Sequence, residues 1–394
     1  MQLGFKRIIF MGFLLCIPIF SNATVSCTDQ RLKKRILNFM GKFHIPGAAV
    51  VIANHGKLRT CLFGEAVPKK HVPVSEKTIF ELGSITKTFT GLILAKEVIS
   101  GKIRLDQAIH PDLKIPHSAN IGKISYLDLA SYTSGLAFNV ENLAYNASSS
   151  SQNQIKFRNY LKHYVPPFKP KSYMLYSNVG FGLLGQILAK NEQTSLTELM
   201  RIEILSPLNM NSSGLDLSDE NQKYLAQGFT EHGKPIPYHP SGLFGGSWAM
   251  RASVKDIRSY LNAALGERST PIKIHQAMLL TQTAYYDMPH EETQLGLGWL
   301  ITPLNKASAI QKLTHQPAHY QFIPYQIKKI KKSEFNPNAL IGKTGATDGF
   351  RAYLAVIPAK GTGIAIMINR FTPSSGALIN LANKILLEES HIAF

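Results

Sequence analysis

Gly83-Ser84-Ile85-Thr86-Lys87-Thr88-Phe89-Thr90-Gly91 is the stretch on which the reading of this chain turns. Ser84 is the only serine followed by a lysine three residues later. Positions i and i+3 of a helix share one face, so the hydroxyl and the amine can meet there. A serine hydroxyl is a weak nucleophile near neutral pH and needs a neighbouring base. Ile85, Phe89, Leu92, Ala95 and Ile99 recur at spacings of three and four, and Gly101 follows as a stop, which predicts a helix with Ser84 at or near its first turn. Unpaired N–H groups and the positive end of the dipole there favour an oxyanion. Taken alone, the pattern fits a solvated helix start with a capping serine equally well.

Two distant motifs shift the balance. Tyr176-Ser177-Asn178 opens the apolar-periodic run Val179, Phe181, Leu183, Leu184, Ile187 and Leu188, which predicts a helix with Tyr176 on the loop before it. Lys343-Thr344-Gly345-Ala346 follows Ala339-Leu340-Ile341 and precedes a turn at Thr347-Asp348-Gly349, so it reads as the end of one strand before another begins at Phe350. A glycine there lets a ligand lie close to the strand.

In this order, the three motifs make the chain resemble a class C serine β-lactamase, within the fold shared with penicillin-recognising D,D-peptidases. The resemblance runs from the first helix to the last. It includes Leu127-Asp128-Leu129-Ala130-Ser131-Tyr132-Thr133-Ser134-Gly135-Leu136 and Gln294-Leu295-Gly296-Leu297-Gly298-Trp299. It implies that Ser84 attacks the β-lactam carbonyl, that Lys87 and Tyr176 together remove its proton, and that Lys343 supplies positive charge and can hold the substrate carboxylate. Neither Lys87 nor Tyr176 is a convincing base at its ordinary pKa, so neighbouring charge and burial must favour neutral amine or phenolate. The N–H groups of Ser84 and Ala346 would form the oxyanion hole, Thr344 and Gly345 would line the substrate strand, and Asn178 would bond both Lys87 and the substrate side-chain amide. No cofactor is implied; the partner is a small β-lactam.

Four positions bear on substrate choice. Asn139 stands where the family often has glutamine, Trp248 where a tyrosine commonly lines the cleft, and Asp348 where a glycine is common. Asn369 matches an asparagine that can contact the substrate carboxylate.

Composition narrows the compartment. Lys6 and Arg7, an apolar run from Ile8 to Phe20, and Ser21-Asn22-Ala23 read as a secretory leader cleaved after Ala23, too short in its core for an ordinary membrane span. A periplasmic, monomeric protein is expected. Removing 23 of 394 residues leaves 371, enough for one large domain or two lobes. Of three cysteines only Cys27 and Cys61 then remain, and in an oxidising compartment they are expected to pair, the alternative being two inert thiols. The net charge of +18 does not signify nucleic acid binding, because no recognisable module with clustered, aromatic-interleaved basic residues accompanies it. Its densest run, Lys328-Lys329-Ile330-Lys331-Lys332, reads as a solvated loop.

The fold expected is α/β (α+β). Strand patterns lie at Ala48–Ala53, Leu58–Leu62, Leu340–Lys343, Phe350–Ile357 and Gly363–Ile368, and helical patterns fill the middle from about Leu105 to Pro235. Both chain ends then share one antiparallel sheet flanked by helices, forming a sheet lobe over about 24–105 and 236–394. A mainly helical lobe spans about 106–235, and the family resemblance implies a catalytic cleft between that lobe and the sheet. A D,D-carboxypeptidase, an esterase of this fold and a non-catalytic envelope binding protein are the competing functions. Metal-dependent hydrolysis is disfavoured by the absence of His-x-His-x-Asp and His-Glu-x-x-His, and Gly-x-Ser-x-Gly is also absent.

Overall fold

Along Ala48–Ala53 the side chains divide alternately between two cores, Ala49, Val51 and Ala53 on one side and Ala48, Val50 and Ile52 on the other. Successive residues of a strand point to opposite faces, so a strand apolar throughout belongs in a sheet covered on both. The structure, a computed structural model, describes residues 26–109, 120–317 and 323–394. The leader expected over Met1–Ala23 lies outside the described residues.

Among the described residues ten antiparallel strands form the sheet: β1 (Gly47–Asn54), β2 (Lys57–Val67), β3 (Val72–Pro73), β4 (Tyr286–Met288), β5 (Thr293–Leu295), β6 (Leu300–Pro303), β7 (Lys328–Lys329), β8 (Ala339–Ala346), β9 (Arg351–Ile357) and β10 (Thr362–Ile368). Their order is β7-β4-β5-β6-β8-β9-β10-β1-β2-β3, so both chain ends meet in its middle, with Ala48 opposite Ile368. β1 and β2 turn through His55-Gly56, both at positive φ (47° and 76°), the two-residue turn whose twist suits a hairpin. Part of the lysine-rich run expected as loop is instead the edge strand β7, opposite Asp287 and Tyr286. Exposed lysines there oppose pairing with another chain.

The helices that frame the site are α1 (Gln30–Phe43), α2 (Thr86–Ile99), α3 (Tyr126–Ala130), α4 (Asn178–Asn191), α5 (Gly245–Trp248), α6 (Val254–Leu265) and α7 (Ser375–Glu389). Leu32, Ile36 and Met40 of α1 pack with Leu378, Ile379 and Ile385 of α7 over one face. On the other face α6 contacts β1, β9 and β10. Nearly all of α2 is buried, against α4 and α5 among others. Ser125 caps α3 in a capping box, its side chain and that of Asp128 bonding each other's backbone N–H. Cys27 and Cys61 are joined at 2.10 Å, tying the segment before α1 to β2. Among the described residues no helix is long and apolar enough to cross a membrane.

Just upstream of Ser84, Glu81 pairs in register with Arg251, whose side chain is fully buried. The guanidinium donates to Glu81 Oε1 at 3.0 and 3.2 Å and to the carbonyls of Leu215, Ala249 and His239. Removing one partner of such a pair strands a charge away from water. Glu81→Ala is therefore expected to cost about 3–5 kcal/mol of stability. A melting midpoint equal to wild type would show the pair to be dispensable.

Candidate active site

Gly83–Ile85 forms a single 3₁₀ turn that runs directly into α2, which places Ser84 just before the helix and Lys87 at its second residue. Lys87 is 0 % exposed, and its Nζ lies 3.0 Å from Ser84 Oγ, 2.8 Å from Asn178 Oδ1 and 2.7 Å from the Ser247 carbonyl oxygen. Asn178 heads α4, after Ser177, whose side chain accepts from Gly180 N as the N-cap. Its amide orientation follows from its partners: Nδ2 donates to Asn139 Oδ1 at 3.0 Å, so Oδ1 faces Lys87. Burial, and after it the second ammonium at Lys343, hold the Lys87 amine well below its ordinary value.

Tyr176 sits between the two lysines. Lys343 Nζ donates to its hydroxyl at 3.1 Å, and the side-chain nitrogens of Lys87 and Lys343 lie 4.9 and 5.0 Å from its ring centroid. The ring stacks on Tyr132 at 5.0 Å. Tyr132 has φ of +63°, a backbone conformation uncommon for a bulky residue, and its carbonyl accepts from Leu175 N while its hydroxyl donates to the Gly298 carbonyl. The Leu127–Leu136 segment thus aims the tyrosine. Lys343 is 1 % exposed, its Nζ also donating to the Thr344 carbonyl at 3.0 Å, and burial brings its pKa down to about 7.

Two glycines let the Ser84 turn and β8 touch. A Cβ on Gly83, whose φ is +51°, would strike the Ala346 nitrogen, and one on Gly345 would strike the Leu82 carbonyl oxygen. The Ser84 and Ala346 segments are held side by side for that reason. Gly345→Ala is expected to lower the melting midpoint, by about 1–3 kcal/mol of overpacking, and to slow acylation by widening this gap. An unchanged rate in that variant would remove the gap from the account.

Ser84, Tyr176, Asn178, Trp248, Thr344 and Ala346 line one cleft of about 460 Å³, which Asn139 also borders. Trp248 is anchored by its Nε1, which donates to the Tyr145 carbonyl at 3.0 Å. Asp348 also borders the cleft, and burial, then its carboxylate, push the Tyr145 phenol above the ordinary range. Asn369 does not join the group. It is 0 % exposed; its Oδ1 accepts from Gly47 N at 2.7 Å and its Nδ2 donates to the carbonyls of Glu65 and Ala66. The carboxylate contact expected of Asn369 is corrected to a structural role, clamping the ends of β10, β1 and β2. Two participants escaped the motif reading: the Ser247 carbonyl and Arg351, which borders the cleft. Arg351 alone left a signal, as the one charge in the apolar run Phe350–Ile357. Among the described residues no group of histidine, cysteine or acidic side chains is placed to hold a metal.

A family model described as Beta-lactamase matches residues 32–388. The beta-lactamase of Psychrobacter immobilis is 30% identical over 352 residues, 88% of this chain and 84% of that one. A solved class C beta-lactamase in complex with cefoxitin is 28% identical with a TM-score of 0.81, covering 91% of this chain and 97% of its own. A structure named beta-lactamase/D-alanine carboxypeptidase, from Pseudomonas syringae, is 26% identical at the same TM-score of 0.81, over 90% of this chain and 97% of its own. With its motifs, its sheet and its full-length likeness in agreement, the chain belongs to the beta-lactamase family, within class C.

Proposed function

We propose that the protein hydrolyses β-lactams through an ester on Ser84. The contact set of Lys87 carries this reading. Asn178 Oδ1 and the Ser247 carbonyl can only accept, so each takes one N–H from Nζ. In the neutral amine the lone pair is then left for Ser84 Oγ at 3.0 Å, and the hydroxyl donates to it. In the ammonium the same contact reverses, and the serine cannot be deprotonated by it.

Ser84 Oγ attacks the ring carbonyl as its proton passes to Lys87. Negative charge gathers on the carbonyl oxygen, toward the N–H groups of Ser84 and Ala346. The carbon–nitrogen bond breaks and the ring nitrogen takes a proton through the Lys87–Tyr176 pair. The Lys343 ammonium, 3.1 Å from the phenolic oxygen, stabilises charge forming there as a proton is relayed. The same pair draws a proton from the water that attacks the ester and returns it to Ser84 Oγ as the ester bond breaks, releasing the opened product with its new carboxyl group. Asn139 and Asn178 present amides to the substrate side chain. The mature protein acts in the periplasm, as a monomer; the Cys27–Cys61 bond supports an oxidising compartment.

Mixing the purified protein with a chromogenic cephalosporin, with intact mass followed in parallel, separates the two leading activities. Rapid colour without a persisting adduct supports hydrolysis; a long-lived adduct supports a D,D-carboxypeptidase, the activity named for one structural neighbour.

A further inference from the structure

β-Lactam antibiotics commonly carry a carboxylate beside the ring nitrogen, and neither Lys343 nor Asn369 is among the described residues lining the cleft. Lys343 is 1 % exposed behind Tyr176, and Asn369 is enclosed by backbone partners. Among the described residues three charged side chains line the cleft, Glu231, Asp348 and Arg351, and only the last is a cation. Arg351 on β9 is the direct cross-strand partner of Ala346 on β8. The side chains of such a pair share a face, and Thr344, two residues along β8, shares it too. Arg351 thus stands beside the strand that borders Ser84, on the sheet side of the cleft, whereas Asn178 belongs to the helical side.

Its guanidinium is preorganised. Nε and Nη2 donate to the Thr372 carbonyl at 3.0 and 2.5 Å, and the group lies 4.1 Å from the Phe371 ring centroid. Nη1 has no hydrogen-bond partner among the described residues, and Glu231, although nearby, makes no ion pair with it. Burial lowers the group to about 10, against the pull of Glu231, so it stays charged at neutral pH. A planar fork held on one side and open on the other suits a carboxylate.

We infer that Arg351 determines specificity in this site by binding the substrate carboxylate through Nη1, an inference that rests on the function proposed above. The test compares wild type, Arg351→Gln and Arg351→Lys on a chromogenic cephalosporin and on its methyl ester. For the free acid, Arg351→Gln is expected to raise KM about ten- to hundredfold, the loss of a charged hydrogen bond, with kcat little changed. The ester should show the same KM in both proteins, and Arg351→Lys, which keeps the charge but not the planar fork, should recover only part of the preference for the acid, its KM for the acid staying above wild type. Equal changes on acid and ester would mean that Arg351 acts only by supporting Thr372 and Phe371, and no change on either would mean it touches nothing; both overturn the inference. If Arg351→Gln does not fold, Arg351→Lys decides on the same comparison, a KM raised for the acid alone supporting it and equal KM changes, or none, overturning it. Wild type that turns over neither compound nor forms an adduct defeats the functional reading, and this inference with it. Wild-type turnover with an overturning result defeats this inference alone.

Discussion

Ser84→Ala is expected to lose β-lactam turnover by about 10⁴- to 10⁶-fold, as removal of a serine nucleophile does elsewhere, while melting close to wild type. The hydroxyl is half-buried, and its one described side-chain contact is Lys87. Losing that bond costs about 1 kcal/mol, because Lys87 keeps Asn178 and Ser247. Spectrophotometric turnover with a thermal melt on the same sample reads both quantities. Substantial residual activity would mean that another group attacks the ring; a collapsed melt would mean that Ser84 is part of the packing.

Lys87→Met carries the second large effect. Acylation should slow by about 10²- to 10⁴-fold, the range for loss of a positioned general base. The pH profile tests the protonation argument separately. Lys87 works as a base only when neutral, so the acylation rate rises with pH as its proton leaves. Because burial, then Lys343, hold its pKa well below 10.5, that rise should be complete well below the range of an ordinary lysine. Lys343 bears on the same limb. Its charge disfavours an ammonium at Lys87, so Lys343→Met raises the Lys87 pKa and should move the acid limb to higher pH. Stopped-flow acylation across pH measures both; a limb that moves down, or stays, contradicts the coupling of the two lysines.

What the sequence disclosed was local. The i, i+3 spacing of Ser84 and Lys87 places two functional groups by helix geometry alone. Asn178 was legible as the start of an apolar-periodic helix, and Lys343 as the end of a strand. Hidden were contacts set by strands far apart in the chain. Asn369 resembles a ligand residue, yet its amide bonds Gly47, because β10 and β1 are neighbours only after the chain ends meet in the sheet. The Ser247 carbonyl has no side-chain signature at all, and its role with Lys87 needs α5 to lie against α2. Arg351 became part of the cleft through its register with Ala346. The composition of Lys328–Lys329 is that of a solvated loop, and an exposed edge strand has the same composition.

The central claim is that a covalent ester forms and breaks at one serine. Rapid-quench mass spectrometry of wild type during turnover, followed by peptide mapping, tests it most directly. A transient gain of the intact substrate mass, on the peptide bearing Ser84 and gone when substrate is exhausted, is the expected result. Turnover with no such adduct, or with the added mass on another residue, would contradict it.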